Sequence, residues 1–251
     1  MNIDIKESFI KTRKAGSIAA GALDEVEKII KPGITTAKID RLCYDYINDH
    51  DAYSAPLFYR GFPKSCCTST NHVVCHGIPA DKILREGDIL NVDVTAYKDG
   101  WHGDTSRMFQ VGKTSVKAKK LIETTYEAMM KAIKILKENI FLGDIGGTIQ
   151  EHVESKGFSV VQDFCGHGIG QTFHKNPNVL HYGKKGTGEK IKAGMIFTIE
   201  PMINLGNYET KVLNDGWTAV TKDKSLSAQF EHTVGITKDG YEIFTQSKKF
   251  S

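Results

Sequence analysis

Residues Gly87–Val111 read GDILNVDVTAYKDGWHGDTSRMFQV, and this stretch decides the fold. β-branched and aromatic residues crowd Ile89–Tyr97 and Thr105–Val111, and Lys98, Asp99 and Gly100 between them carry a hairpin signal. Acids are depleted inside strands, yet Asp93 sits among residues that a strand would bury. If the loop holds an even number of residues, Asp93 and Asp104 share one face, opposed or diagonal, with Cβ atoms about 5 to 8 Å apart.

Upstream, Phe9, Ile10, Ile18, Ala19, Ala22, Leu23, Val26, Ile29 and Ile30 recur at the three- and four-residue steps of an amphipathic helix, which Pro32 and Gly33 stop. A second helix starts at a Thr35 or Thr36 cap and runs through Ile39, Leu42, Cys43, Tyr46 and Ile47. Downstream, the helical period returns over Val116–Leu136. The order then repeats. Ile29, Ile30 and Ile34 align with Ile135, Leu136 and Ile140 at an offset of 106, and GDILNVD at Gly87 aligns with GMIFTIE at Gly194 at an offset of 107. Asp93 thereby lands on Glu200, so both halves deliver an acid from the same place in a strand. The expected architecture is α+β: one domain over residues 1–251, with pseudo-symmetric halves of about 1–112 and 113–251 around a central antiparallel sheet.

Composition narrows the function classes. With 251 residues, 40% apolar and 25% charged, the chain excludes a collagen, a coiled coil and a disordered tail. Lys and Arg number 33 against 30 Asp and Glu, a net charge of +3 that is too even to make nucleic acid or an anionic membrane the main partner. Cys43, Cys66, Cys67, Cys75 and Cys165 cannot all pair and form no CxxC, which fits a reducing compartment. The N-terminus lacks the apolar run of a signal peptide, and no stretch approaches the roughly 18 apolar residues of a membrane span. A cytoplasmic protein is expected.

Glu231, in SAQFEHTVGI, closes the second half as Asp104 closes the first. Two unit charges 4 Å apart repel by about 4 kcal/mol at an effective dielectric near 20, so four clustered acids need protons or cations. No Lys or Arg adjoins these positions in their strands, which leaves a metal as the simpler partner. His167, in FCGHGIG, would add a nitrogen ligand, and its flanking glycines permit close backbone approach. An oxygen-rich set with one imidazole suits Mn, Fe, Co or Zn, and two such ions form a hydrolytic site. His76 in VVCHGIP and His174 in QTFHKNP stand near this set. His50, His152 and His181 read as surface or structural, and His72, His102 and His232 as residues alternating away from the acids.

The ordered segments VVCHGIP, NVDVTAYKDGWHGDTSRMF, FCGHGIGQTFH, FTIEPMI and SLSAQFEHTV resemble the type I methionine aminopeptidases, across nearly the whole chain. The resemblance implies the two-half pita-bread fold. It also implies a dinuclear metal site of Asp93, Asp104, His167, Glu200 and Glu231, with Asp104 and Glu231 bridging. Glu200 would move the proton, while His76 and His174, just outside the ligands, would contact the substrate. A methionine pocket of Tyr59, Phe62, Cys67, Phe173 and Trp217, with His76 at its edge, is implied too. Pro56 stands where the resemblance leads one to expect a cysteine. The further implications are a monovalent cation near Asn71, Val73 and Ser227, and removal of initiator methionine from nascent peptide N-termini close to the ribosome, by a monomer. The type I form, without a zinc-finger extension or a long insertion between Glu200 and Glu231, is expected.

Two rivals share the fold. A proline-directed aminopeptidase or prolidase would use the same five ligands but place them after a large N-terminal domain, whereas here the first motif begins by residue 73. A catalytically inactive binding protein would lack part of the ligand set, and none is missing.

Overall fold

The computed structural model describes residues 3–247. Helix α1 spans Ile3–Ile29 and ends before Pro32 and Gly33, whose φ of 94° turns the chain where a side chain would be strained. Thr35 caps α2 (Thr36–Asp49), its side chain accepting from the Lys38 N–H at 3.2 Å. Ile39, Cys43 and Ile47 recur every fourth residue on the buried face of α2 and join Leu23 and Val26 of α1 in one core.

The hairpin forms from Ile89–Lys98 and Trp101–Gln110, so the second strand starts earlier than the composition of Thr105–Val111 suggests. Asp99 (φ 50°) and Gly100 (φ 85°) make a two-residue left-handed turn, which matches strand twist and lets pairing run to Lys98↔Trp101. Asp93 pairs with Ser106 and Asp104 with Thr95, which makes the two acids diagonal neighbours on one face.

Around this hairpin the main sheet runs, in spatial order, Tyr53–Ser54, Ile89–Lys98, Trp101–Gln110, Glu231–Ile236, Ile196–Ile199, Gly166–Gly168 and Lys175–Val179, antiparallel throughout. Cys67–Thr70 also pairs with Ile89–Lys98, placing Cys67 opposite Asp93. The halves meet where Glu231 pairs with Ser106. Cys67, Asp93, Ser106 and Glu231 thus form one cross-strand row, and side chains in such a row project from the same face.

Helices α3 (Val116–Lys134) and α4 (Leu142–Glu154) cover the second half as α1 and α2 cover the first. The correspondence reaches single hydrogen bonds. Thr35 and Phe141 precede α2 and α4 at an offset of 106 and form isolated bridges to Ile83 and Lys190. Leu84 N–H donates to Ile34 O, and Ile191 N–H to Ile140 O, both at 2.8 Å. Gly87 (φ 89°) and Gly194 (φ 93°) open equivalent strands. This is the α+β pita-bread architecture of two pseudo-symmetric halves, and the weak sequence repeat is its trace.

Candidate metal centre and active site

Each half delivers acids to one concave face of the sheet. Asp104 and Glu231 are 4% and 1% exposed, and Asp104, Glu231 and His167 each offer a ligand atom within 4.8 Å of the others. His167 Nε2 lies 3.6 Å from both Asp104 Oδ2 and Glu200 Oε1. Its Nδ1–H donates to Gly168 O at 3.1 Å, which turns the lone pair of Nε2 toward the acids. Asp93 lines the same cavity, of about 360 Å³, so the structure brings all five sequence-derived ligand candidates to one wall.

The electrostatics fit a cation. Both oxygens of Glu231 are buried with no hydrogen-bond partner among the described residues. Burial, reinforced by Asp104 and Glu200, pushes the Asp93 and Glu231 carboxyls well above the usual carboxylate range. Burial lifts Glu200 to about 7 against the pull of His167. His167 is pulled down by burial but raised more by the Asp104 carboxylate and by Glu200. Among the described residues no Lys or Arg pairs with these buried acids, which cannot all ionise together; such a donor set fits divalent ions, and hard oxygens with one imidazole suit first-row metals.

Supporting hydroxyls fix these groups. Thr198 Oγ1 accepts the His167 N–H at 2.9 Å and donates to Glu200 Oε1 at 2.7 Å. Thr95 Oγ1 donates to Asp104 Oδ1 at 2.7 Å, and Gln229 Nε2 to Glu200 Oε2 at 3.4 Å. Sequence reading missed both threonines, although each stands two residues from an acid, the spacing of a shared strand face. It also left His181 without a role at the site. The structure buries His181 behind Glu200, whose N–H donates to its Nε2 at 3.1 Å, and burial holds the ring neutral with a pKa of about 3.

Aromatic rings build the remaining wall. The His174 ring lies 4.1 Å from those of His167 and Phe173 and stacks on Tyr59 at 5.1 Å. Loss of hydration against these rings, then the charge of His167, lowers its pKa to about 4. Phe62 meets Trp217 edge-on at 5.2 Å, and His76 meets Phe164 and Trp217 at 5.6 and 6.1 Å. Tyr59, Phe62, Cys67, Phe173, Trp217, His76 and His174 all line the cavity, with Pro56 beside them. Phe164, Cys165 and Met202 line it too, and their apolar or thiol side chains gave the sequence reading no chemical signal. His72, His102 and His232 do not line it. His102 stacks behind Phe173 at 5.3 Å, and His232 Nδ1 lies 2.9 Å from Thr245 Oγ1.

Comparison with known proteins fits this geometry. The profile of metallopeptidase family M24 matches residues 11–238. A methionine aminopeptidase from Rickettsia prowazekii (strain Madrid E) is 56% identical over 250 residues, 99% of this chain and 96% of that protein. A crystal structure of methionine aminopeptidase from Rickettsia prowazekii matches with a TM-score of 0.95 at 57% identity, over 96% of this chain and 98% of the other. A prolidase from Pyrococcus furiosus shares the fold at a TM-score of 0.77 but is 22% identical, over 97% of this chain and 65% of the prolidase. The chain thus belongs to metallopeptidase family M24 and, within it, to the methionine aminopeptidases.

Proposed function

We propose that the cavity hydrolyses the peptide bond after an N-terminal methionine, preferring a small second residue. The observation that carries this reading is the pair of partnerless, buried Glu231 oxygens beside Asp104 and His167, at the floor of an aromatic pocket. Asp93, Asp104, His167, Glu200 and Glu231 would hold two divalent ions, from among Mn, Fe, Co and Zn, with Asp104 and Glu231 shared between them. Bound there, the ions supply a Lewis acid for the scissile carbonyl and lower the pKa of water.

The chain's residues supply the rest. Glu200, its Oε1 held by Thr198 Oγ1 at 2.7 Å, is placed to take a proton from the attacking water and pass it to the departing amine. His174, kept neutral, donates a hydrogen bond to the carbonyl oxygen as negative charge grows there. His76 contacts the amide at the mouth. Tyr59, Phe62, Cys67, Phe173 and Trp217 enclose the methionine side chain in polarisable surface suited to a thioether. Buried Ser227 Oγ, partnerless beside the Asn71 carbonyl that its N–H meets at 2.8 Å, supports a monovalent cation among Asn71, Val73 and Ser227. On this reading residues 1–251 act as one catalytic unit, a monomer that meets nascent peptide N-termini near the ribosome in the cytoplasm. No helix among the described residues is long and apolar enough to cross a membrane.

The test is turnover by metal-free protein as Mn, Fe, Co or Zn is added back, on Met-Ala, Met-Gly, Met-Ser, Met-Leu, Met-Phe and Met-Pro peptides. Fast release from the first three and slow release from the others is expected, since each misfit in a packed site costs about 1 to 3 kcal/mol. A peak at Met-Pro, or full turnover without metal, would overturn the reading.

A further inference from the structure

The site described so far ends at the second residue of a substrate, but the cavity wall continues to its mouth. Among the described residues that line it, Arg60 alone carries a permanent positive charge. It is exposed, and its guanidinium carbon stands 5.3 Å from the centre of the Tyr59 ring, which itself stacks on His174. Among the described residues no carboxylate pairs with it.

The backbone beneath Arg60 is built rather than loose. Phe58 (φ 65°) and Arg60 (φ 48°) are both left-handed, a conformation that non-glycine residues hold only when the surroundings impose it. Four hydrogen bonds do so: Phe58 N–H to Phe62 O at 2.8 Å, Tyr59 N–H to Pro56 O at 2.9 Å, Gly61 N–H to Phe58 O at 3.2 Å and Phe62 N–H to Tyr59 O at 2.9 Å. The turn sends Tyr59 into the cavity and sets a guanidinium at its rim.

We propose that Arg60 is a specificity-determining residue that reads a carboxylate on the third residue of the substrate. The inference rests on the aminopeptidase reading above. With methionine among Tyr59, Phe62 and Trp217, and a small second residue against His76 and Phe164, the third residue is the first to emerge at the rim. A guanidinium binds a carboxylate through two parallel N–H groups, a geometry available to an acidic side chain or to the terminal carboxylate of a tripeptide.

The test compares kcat/KM, at low and high salt, on Met-Ala-Glu-amide, Met-Ala-Gln-amide, Met-Ala-Lys-amide, Met-Ala-Ser-amide and Met-Ala-Ser with a free carboxylate. The expected order places Glu above Gln above Lys, with Glu over Lys by about two- to fivefold, the range of a solvent-exposed ion pair, carried in KM and shrinking with salt. The free carboxylate should exceed the amide if the terminus is read as well. Arg60→Glu should reverse the Glu-to-Lys order and Arg60→Gln abolish it. Equal rates for Glu and Lys in the native protein, or the same preference in Arg60→Glu, would overturn the inference alone. Failure to cleave any of these peptides with metal present would overturn the aminopeptidase reading and the inference with it.

Discussion

Glu200 and Glu231 hold protons more tightly in the folded, metal-free chain than a carboxyl does in water, and this has a sign that can be measured. Glu200 moves from an ordinary 4.5 to about 7. Its contribution to folding is therefore full below about pH 4.5 and is lost as pH rises through 7. His174, His232 and the buried His181, lowered by lost hydration to about 4, 4 and 3, act oppositely and cost stability as pH falls below 6.5. Comparison with Glu200→Gln isolates the carboxyl. Metal-free wild type and variant should melt together at pH 5, and the wild type should fall behind by pH 8. A gap that narrows with rising pH would contradict the assignment. Metal affinity should weaken as pH drops below 7, because the carboxyls must release protons to bind. At the other edge of the site, His174→Ala should cut turnover by about 10² to 10³ through loss of one donor to the developing oxyanion. Its metal content should stay near wild type, and loss of an ion would make His174 a ligand instead.

Hairpin and helix meet through glycine. A Cβ at Gly103 would collide with the backbone of Gly16 in α1, so helix and strand touch there main chain to main chain. Gly103 immediately precedes Asp104, so Gly103→Ala should push the strand off the helix and displace a proposed ligand. A drop of about 1 to 3 kcal/mol in stability, together with weaker metal binding by calorimetry, is expected. Unchanged metal affinity would show that the strand can yield without moving Asp104. Thr198→Val tests the second half likewise, since it leaves the His167 N–H unsatisfied and frees Glu200; a loss of about 1 to 3 kcal/mol in unfolding experiments is expected. At this scale the sequence was most readable. Acids placed inside apolar strands announced the site, because burial of a charge breaks a local rule. The repeat was readable because Gly87 and Gly194 must both turn left-handed. Short strands such as Gly166–Gly168, the supporting threonines and His181 were not, because neither a two- or three-residue strand nor a hydrogen bond to a neighbour leaves a period in the chain.

The whole molecule is two halves joined across the proposed ligand set: Asp93 and Asp104 come from the first, His167, Glu200 and Glu231 from the second. Metal should therefore brace the halves against each other. Ligand at a hundred times its dissociation constant adds about 2.7 kcal/mol, and for a chain of this length that raises the melting temperature by roughly 5 to 10 °C. Glu231→Gln should lose most of that gain, and a gain unchanged in this variant would place the ions elsewhere. Placement of the cavity at this junction also sets what can attack it. Pro56 stands where a cysteine was expected, so the thiols on the cavity wall are those of Cys67 and Cys165. Burial, joined by Asp93 at the first and Glu200 at the second, raises both thiol pKa values, and Cys67 is almost wholly enclosed. A protonated thiol is a poor nucleophile. In pharmacological terms, a cysteine-directed warhead aimed at position 56 finds a proline, and the thiols it would meet instead, Cys67 and Cys165, are held in their less reactive protonated form.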